Sequence, residues 1–212
     1  MILFGCKIYR TGSLPSKNIA VTFDDGPHPI YTPQIMDILD EANGRATFFV
    51  TGQNLQKNMA LGQEISRRGH TMGNHTFSHP HALFAGRGKL QDEISRTKDL
   101  IESITGRPNR YFRPPFGFIT PSLLSICRKT ELSLVLWNSN SKDYRRLSAE
   151  RIEERMRPQI KPRSILLFHE CKYSDDRVDC SSSILALKSI LNDIILKALK
   201  PVTIDEMFGD PF

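Results

Sequence analysis

Asp24 and Asp25 stand where an apolar run, Ile19-Ala20-Val21-Thr22-Phe23, meets a Gly26-Pro27 turn. Further along, His75-Thr76-Phe77-Ser78-His79 offers two imidazoles at i and i+4. If that stretch turns helically, both rings face one ion. It lacks the glutamate that serves as general base in a helical His-Glu-x-x-His site. A hydrolytic metal centre built here needs a third ligand and a base from elsewhere, and the aspartate pair can supply both. Neighbouring strand residues point to opposite faces, so both carboxylates reach one site only where the strand ends. The candidate ligand set is Asp25, His75 and His79. Two histidines and a carboxylate with open positions form a catalytic set, suited to zinc and tolerant of cobalt or other divalent ions. Alone, each motif also fits a plainer reading: two surface imidazoles at a helix start, or a common acidic-Gly-Pro turn.

Two further stretches add chemistry. In Arg113-Pro114-Pro115-Phe116-Gly117 the prolines stiffen the loop and the glycine permits an unusual turn. Such a loop can aim one backbone N–H, that of Phe116, at a developing oxyanion. Arg113 can hold a carboxylate in place. In Ile165-Leu166-Leu167-Phe168-His169-Glu170, His169 ends a buried-looking strand and suits a general acid. Leu167 shares its face and can line a small apolar pocket. Asp143 can raise the pKa of His169 by charge. His70 reads as structural, and His28 and His81 as loop surface residues near the site.

The elements that must position these groups alternate along the chain. Strand-like runs cover 19–23, 46–50, 71–74, 111–113, 132–137, 164–168 and 201–204. Helix-like stretches cover 32–42, 58–68, 90–105, 121–129, 149–156 and 183–199. Gly44, Gly69 and Gly106 are placed to cap helix ends, and Ser148 and Ser182 to start helices. The alternation predicts a parallel α/β architecture in one domain. About seven strands suit a barrel shorter than the standard eight-fold one, whose strand C-termini would gather the candidate residues on one rim, with an open doubly wound sheet as the alternative. No glycine-rich dinucleotide fingerprint follows a strand.

Composition is that of an ordinary globular chain: 212 residues, 39% hydrophobic and 25% charged. The net charge of +6 reads as a solvated basic surface, or as attraction to an anionic polymer or membrane. No basic run interleaved with aromatics points to nucleic acid. No stretch approaches the apolar length of a membrane span. Met1-Ile2-Leu3-Phe4 is too short for a signal-peptide core, so no export signal is expected within these residues. Cys6, Cys127, Cys171 and Cys180 show no zinc-finger spacing. Free thiols are expected, with a Cys171–Cys180 disulfide as the alternative.

Together these stretches resemble the polysaccharide deacetylases with the NodB homology domain, carbohydrate esterase family four. The resemblance spans roughly residues 18 to 208, with all five family motifs in order. It implies a single-domain α/β fold, a distorted (β/α)7 barrel, with Asp24 as catalytic base, and Asp25, His75 and His79 as metal ligands. It implies that Arg113 orients the base and that Phe116 supplies the backbone oxyanion donor. Asp143 would tune the acid His169, and Leu167 would line the acetyl pocket. Tyr144 stands where the family often has tryptophan, and would shape the groove wall. Glu170 stands where aspartate often follows the acid. The expectation is an N-terminal arm over 1–17 and a catalytic domain over 18–212. Its activity would be metal-dependent removal of N-acetyl groups from an amino-sugar polymer, peptidoglycan-like or chitin-like, releasing acetate. One divalent ion, zinc before cobalt, is the implied cofactor. An N-acetylated oligo- or polysaccharide is the implied partner, with the protein a monomer. An envelope or secreted location follows from the resemblance, a cytoplasmic one from the missing signal. O-deacetylation, a small-amide amidohydrolase and a non-catalytic carbohydrate-binding module are the competing readings.

Overall fold

Alternation along the strands sorts this chain into a barrel interior and an outer layer. Ile19, Val21 and Phe23 join an outer core with Leu166 and Phe168, whereas Ala20 and Ile165 join an inner one with Phe49, Tyr111 and Val135. Thr22 and Asp24 therefore share the inward face with Ala20, as Leu167 and His169 do with Ile165. The computed structural model describes residues 1–12, 17–170 and 179–209.

The elements run β1 (Ile2–Leu3), β2 (Cys6–Tyr9), β3 (Asn18–Asp24), α1 (Tyr31–Glu41), β4 (Thr47–Val50), α2 (Gly52–Lys57), α3 (Met59–Arg67), β5 (Thr71–Asn74) and α4 (Arg87–Thr105). They continue through β6 (Tyr111–Phe112), α5 (Pro121–Lys129), β7 (Ser133–Val135), β8 (Ser139–Asn140), α6 (Ala149–Met156), β9 (Ile165–His169), α7 (Ser181–Leu196), β10 (Lys200–Val202) and α8 (Ile204–Phe208). The sheet order is β1-β2-β7-β6-β5-β4-β3-β9-β8, with β10 beside the start of β3. Only β1 and β2 pair antiparallel among the described residues. After β7 the chain crosses the open side: Leu136 N donates to Tyr9 O at 2.8 Å and Asn138 N to Ile165 O at 3.3 Å. The result is a curled sheet with helices outside it, the distorted barrel implied by the resemblance.

Helix α8 closes the N-terminal end of the barrel. Thr203 and Glu206 form a capping box at its start. Ile204 N donates to Thr47 Oγ1 at 2.9 Å, and Thr71 Oγ1 to Asp205 Oδ2 at 2.5 Å, both at strand starts. The other end is left open for chemistry.

Several local expectations change. The patterning assigns no strand to residues 1–17, yet β2 pairs with β7, Ile8 opposite Leu134. Its burial alternates over only four residues, too few to stand out beside the exposed Met1–Phe4. The helix expected over 58–68 is α3, and the chain breaks at Asn58 to place before it a second helix, α2, that the patterning does not assign. Ile204 starts a helix rather than ending a strand. Gly69 and Gly106 take left-handed backbone, but near Gly44 it is Asn43 that does (φ 48°). Cys180, not Ser182, precedes α7. Cys6 and Cys127 are free and buried, as expected of thiols. Cys180 is disulfide-bonded, against the free-thiol expectation, while Cys171 lies outside the described residues.

Candidate active site

Strand register sets the first layer of the site. Asp24 pairs with Phe49 on one side and His169 on the other, so base and acid candidates end adjacent parallel strands at the same level. Phe49 in turn faces Gly73, where a Cβ would lie 2.4 Å from its ring. Gly73 therefore leaves room for Phe49, and Phe49 forms a floor for Arg113, whose guanidinium carbon sits 4.0 Å from the ring centroid. Arg113 is fully buried. Its Nη1 donates to Asp24 Oδ1 at 2.7 Å and Thr22 Oγ1 at 2.8 Å. Its Nε and Nη2 donate to the Val135 and Leu136 carbonyls. Asp24 is thus held by one oxygen, and the other lies 3.8 Å from His75 Nε2.

Asp25 leaves the strand in left-handed backbone, φ 76°. This turn lets two successive carboxylates converge. Asn54 Nδ2 donates to the Asp25 carbonyl at 2.7 Å, tying the turn to α2. Behind it lies Glu170, fully buried, its N–H donating to Asp24 O at 3.1 Å and its carboxyl accepting from Thr32 Oγ1. A Cβ on Gly26 would come within 1.6 Å of Glu170 Oε1, so the motif glycine is sterically required there. Burial pushes the Glu170 carboxyl up to about 8.

The two histidines meet without a helix. His75–His79 is an irregular arch in which Thr76 (φ 67°) and His79 (φ 58°) are left-handed. The i, i+4 spacing thus works by a different geometry from the helical one its periodicity suggests. Asn74 shapes the arch by accepting from Thr76 N, and buried Glu93 accepts from Phe77 N, Ser78 N and Ser78 Oγ. Three donors on one carboxylate replace the missing helical bonds, a role that the sequence alone did not disclose.

His75 Nδ1 lies 2.7 Å from the Arg113 carbonyl. A carbonyl only accepts, so the proton sits on Nδ1 and the Nε2 lone pair faces the site. His75 Nε2 and His79 Nε2 lie 3.5 and 3.3 Å from the same Asp25 oxygen. The three donor atoms lie within 4.8 Å of one another and all three residues are buried. Donors bonded at ~2.0–2.1 Å to a tetrahedral ion sit roughly 3.3 Å apart, so the set fits a small divalent cation. Burial pushes both imidazoles down to about 3, which keeps them in the neutral, ligating form.

His169 is held differently. Its Nδ1–H donates to Asp143 Oδ1 at 2.7 Å and its backbone N–H to Asp143 Oδ2 at 2.8 Å. Burial pulls this imidazole down, but the Asp143 carboxylate, with Asp25 and Asp24 farther off, outweighs it and holds the pKa at about 9. Asp143 is therefore spent on His169 rather than on its neighbours Arg145 and Arg146. Asp143→Asn is expected to move the alkaline limb of kcat/KM to lower pH. The sign follows because an acid is active protonated, so its loss of protons sets that limb, and the amide no longer stabilises the imidazolium. A cation held by Asp25 would offset the pull of the two site aspartates, leaving Asp143 the main support. An unshifted pH–rate profile in Asp143→Asn would contradict this coupling.

A cavity of about 540 Å³ unites these groups. Asp24, Asp25, His75, His79, Phe116, Leu167 and His169 line it with Trp137, Asp143 and Tyr144. Phe116 is left-handed (φ 59°), and a Cβ on Gly117 would sit 2.8 Å from the Trp137 ring. The strained loop thus packs against the wall formed by Trp137, a residue the motifs did not single out. Tyr144 is half exposed and meets His169 edge-on at 5.3 Å. His70 is buried and accepts from Ala46 N, in keeping with a structural role. His28 is buried too, its Nδ1 accepting from Ile30 N and Tyr31 N, and is no surface residue.

The polysaccharide deacetylase family profile matches residues 11–135, more than half of the chain. The chain belongs to the polysaccharide deacetylase family. It is 33% identical over 203 residues to a peptidoglycan-N-acetylglucosamine deacetylase of Bacillus cereus, covering 94% of this chain and 92% of that protein. It is 33% identical over 154 residues to a chitooligosaccharide deacetylase of Azorhizobium caulinodans, covering 72% and 73%. The crystal structure of a peptidoglycan N-acetylglucosamine deacetylase in complex with 4-naphthalen-1-yl-N-oxidanyl-benzamide superposes with a TM-score of 0.89 at 29% identity, covering 96% of this chain and 94% of that one. A family 4 carbohydrate esterase from Streptomyces lividans in complex with acetate gives 0.78 at 28% identity, covering 87% and 91%. This polysaccharide deacetylase is accordingly an enzyme of the hydrolase class.

Proposed function

We propose that this polysaccharide deacetylase hydrolyses N-acetyl groups on an amino-sugar polymer, releasing acetate and leaving a free amine. Asp25, His75 and His79 would hold one divalent ion, zinc before cobalt. When bound, such an ion polarises the acetyl carbonyl and lowers the pKa of coordinated water. Asp24, oriented by Arg113, takes the proton of the attacking water through its free oxygen. As water adds to the carbonyl carbon, charge gathers on the former carbonyl oxygen, and the Phe116 N–H would bond it. His169 donates its Nε2 proton to the nitrogen as the C–N bond breaks, while Asp143 holds Nδ1. Leu167 and Trp137 provide apolar walls for the acetyl methyl.

The observation that carries this reading is the His169–Asp143 pair, set in the same cavity as the ligand set and the Arg113-held Asp24. An amide nitrogen leaves poorly unless protonated, whereas an ester oxygen needs less help. An imidazole held protonated near neutrality therefore favours N- over O-deacetylation. A non-catalytic binder needs neither base nor acid.

The relatives' named substrates, peptidoglycan and chitooligosaccharide, support a glycan of the N-acetylated class. No helix among the described residues is long and apolar enough to cross a membrane. A disulfide-bonded Cys180 suits an oxidising compartment, which supports an envelope location. The test compares acetate release from N-acetylglucosamine oligomers, peptidoglycan and acetyl-xylan. Faster release from the amide substrates is expected. Release from acetyl-xylan alone would replace this reading with O-deacetylation.

A further inference from the structure

Beside the cavity, an exposed aromatic cluster extends from the Phe116 ring through side chains that have no part in the chemistry described so far. Phe84 is 86% exposed, and Phe118 and Phe116 are 45% and 52% exposed. Scattered surface phenylalanines need no explanation, but these gather around one ring. His81 stacks on Phe116 at 4.9 Å and 25°, and contacts Phe118 at 4.7 Å and Phe84 at 4.9 Å. The cluster is continuous with the ligand set, since the Phe116 ring meets His79 edge-on at 4.8 Å.

The chain presents this surface by construction. His81 and Phe84 follow the ligand His79, while Phe116 and Phe118 follow Arg113, so both loops issue from site residues. Ala82 is buried in the core and anchors the first loop. Phe84 N and Ala85 N both donate to the His81 carbonyl at 3.0 Å, and Leu83 N donates to His81 Nδ1 at 3.3 Å. These bonds fix the turn while leaving Phe84 outward. Phe116 lines the cavity; His81, Phe84 and Phe118 extend the aromatic surface beyond it.

We propose that His81, Phe84 and Phe118, continuing from Phe116, form a platform that stacks a pyranose ring neighbouring the one being deacetylated. This rests on the reading of the enzyme as a glycan deacetylase. A polymer necessarily runs past the cavity that takes its reacting unit. A pyranose offers an apolar C–H face with hydroxyls at its edge, which suits solvent-exposed aromatic rings. The continuity through Phe116 favours the same glycan chain over a separate protein partner.

The experiment uses Phe84→Ala, Phe118→Ala and the double variant on N-acetylglucosamine hexamer and dimer and on peptide-free peptidoglycan strands. On the scale of aromatic contacts, each removal is expected to raise KM for long substrates by about 3- to 10-fold. kcat and the dimer parameters should stay near wild type, and Phe84→Trp should restore the hexamer KM. Calorimetric binding of the hexamer separates this proposal from the hydrolytic reading. If wild type binds it without releasing acetate and the double variant loses binding, the platform stands and the deacetylase reading falls. An unchanged KM and affinity for long substrates in the double variant would overturn the platform. So would equal losses on dimer and hexamer, or absence of binding to every glycan by wild type.

Discussion

Asp24→Asn is expected to retain the metal and lose turnover by about 10²–10⁴-fold, the usual worth of a positioned general base. The amide keeps an oxygen that can accept from Arg113 but has no basic site for the proton of water. Removing a carboxylate from a buried arginine can also unfold a protein. Here Arg113 keeps Thr22 Oγ1 and the Val135 and Leu136 carbonyls, which hold it in place. Circular dichroism and elemental analysis should therefore match wild type while acetate release collapses. A folded, metal-loaded Asp24→Asn within a few-fold of wild type would remove Asp24 from the role of base.

Prolonged chelation is expected to abolish acetate release, and zinc or cobalt to restore it. The same ion should stabilise the fold, because the ligands close only in the native state. At free metal about 1,000-fold above Kd, linkage supplies ~4.1 kcal/mol, enough to raise the melting temperature visibly. His79→Ala should lose both effects together: activity at moderate metal and the metal-dependent gain in melting temperature. Full activity in a chain shown by elemental analysis to be metal-free would remove Asp25, His75 and His79 from that function.

Much of the site was legible because its groups sit at strand ends, where local pattern and topology coincide. The β3 run into Asp24-Asp25 and the β9 run into His169 are hydrophobic strings whose last residues are polar. Period-2 alternation alone places Leu167 and His169 on one face. The form of the His75–His79 arch is not legible, because i, i+4 spacing signals a helix and the carboxylate that substitutes for helical bonds, Glu93, comes from α4. Trp137 and Glu170 were under-read for a similar reason. Their roles depend on packing against Gly117 and Gly26, contacts between distant segments that no periodicity encodes. Strand β2 was hidden because its burial arises only when β7 lies beside it. The aromatic platform likewise draws on two loops more than thirty residues apart in sequence, from His81 to Phe116.

Cleavage of an amide C–N bond by water leaves its mark on both products. The most direct test incubates metal-loaded enzyme with N-acetylglucosamine hexamer in heavy-oxygen water and follows both products. One new sugar amine is expected for every acetate, with the solvent oxygen carried in the acetate carboxylate. Acetate without a matching amine, or fully loaded enzyme that releases none from any N-acetylated glycan, would contradict it.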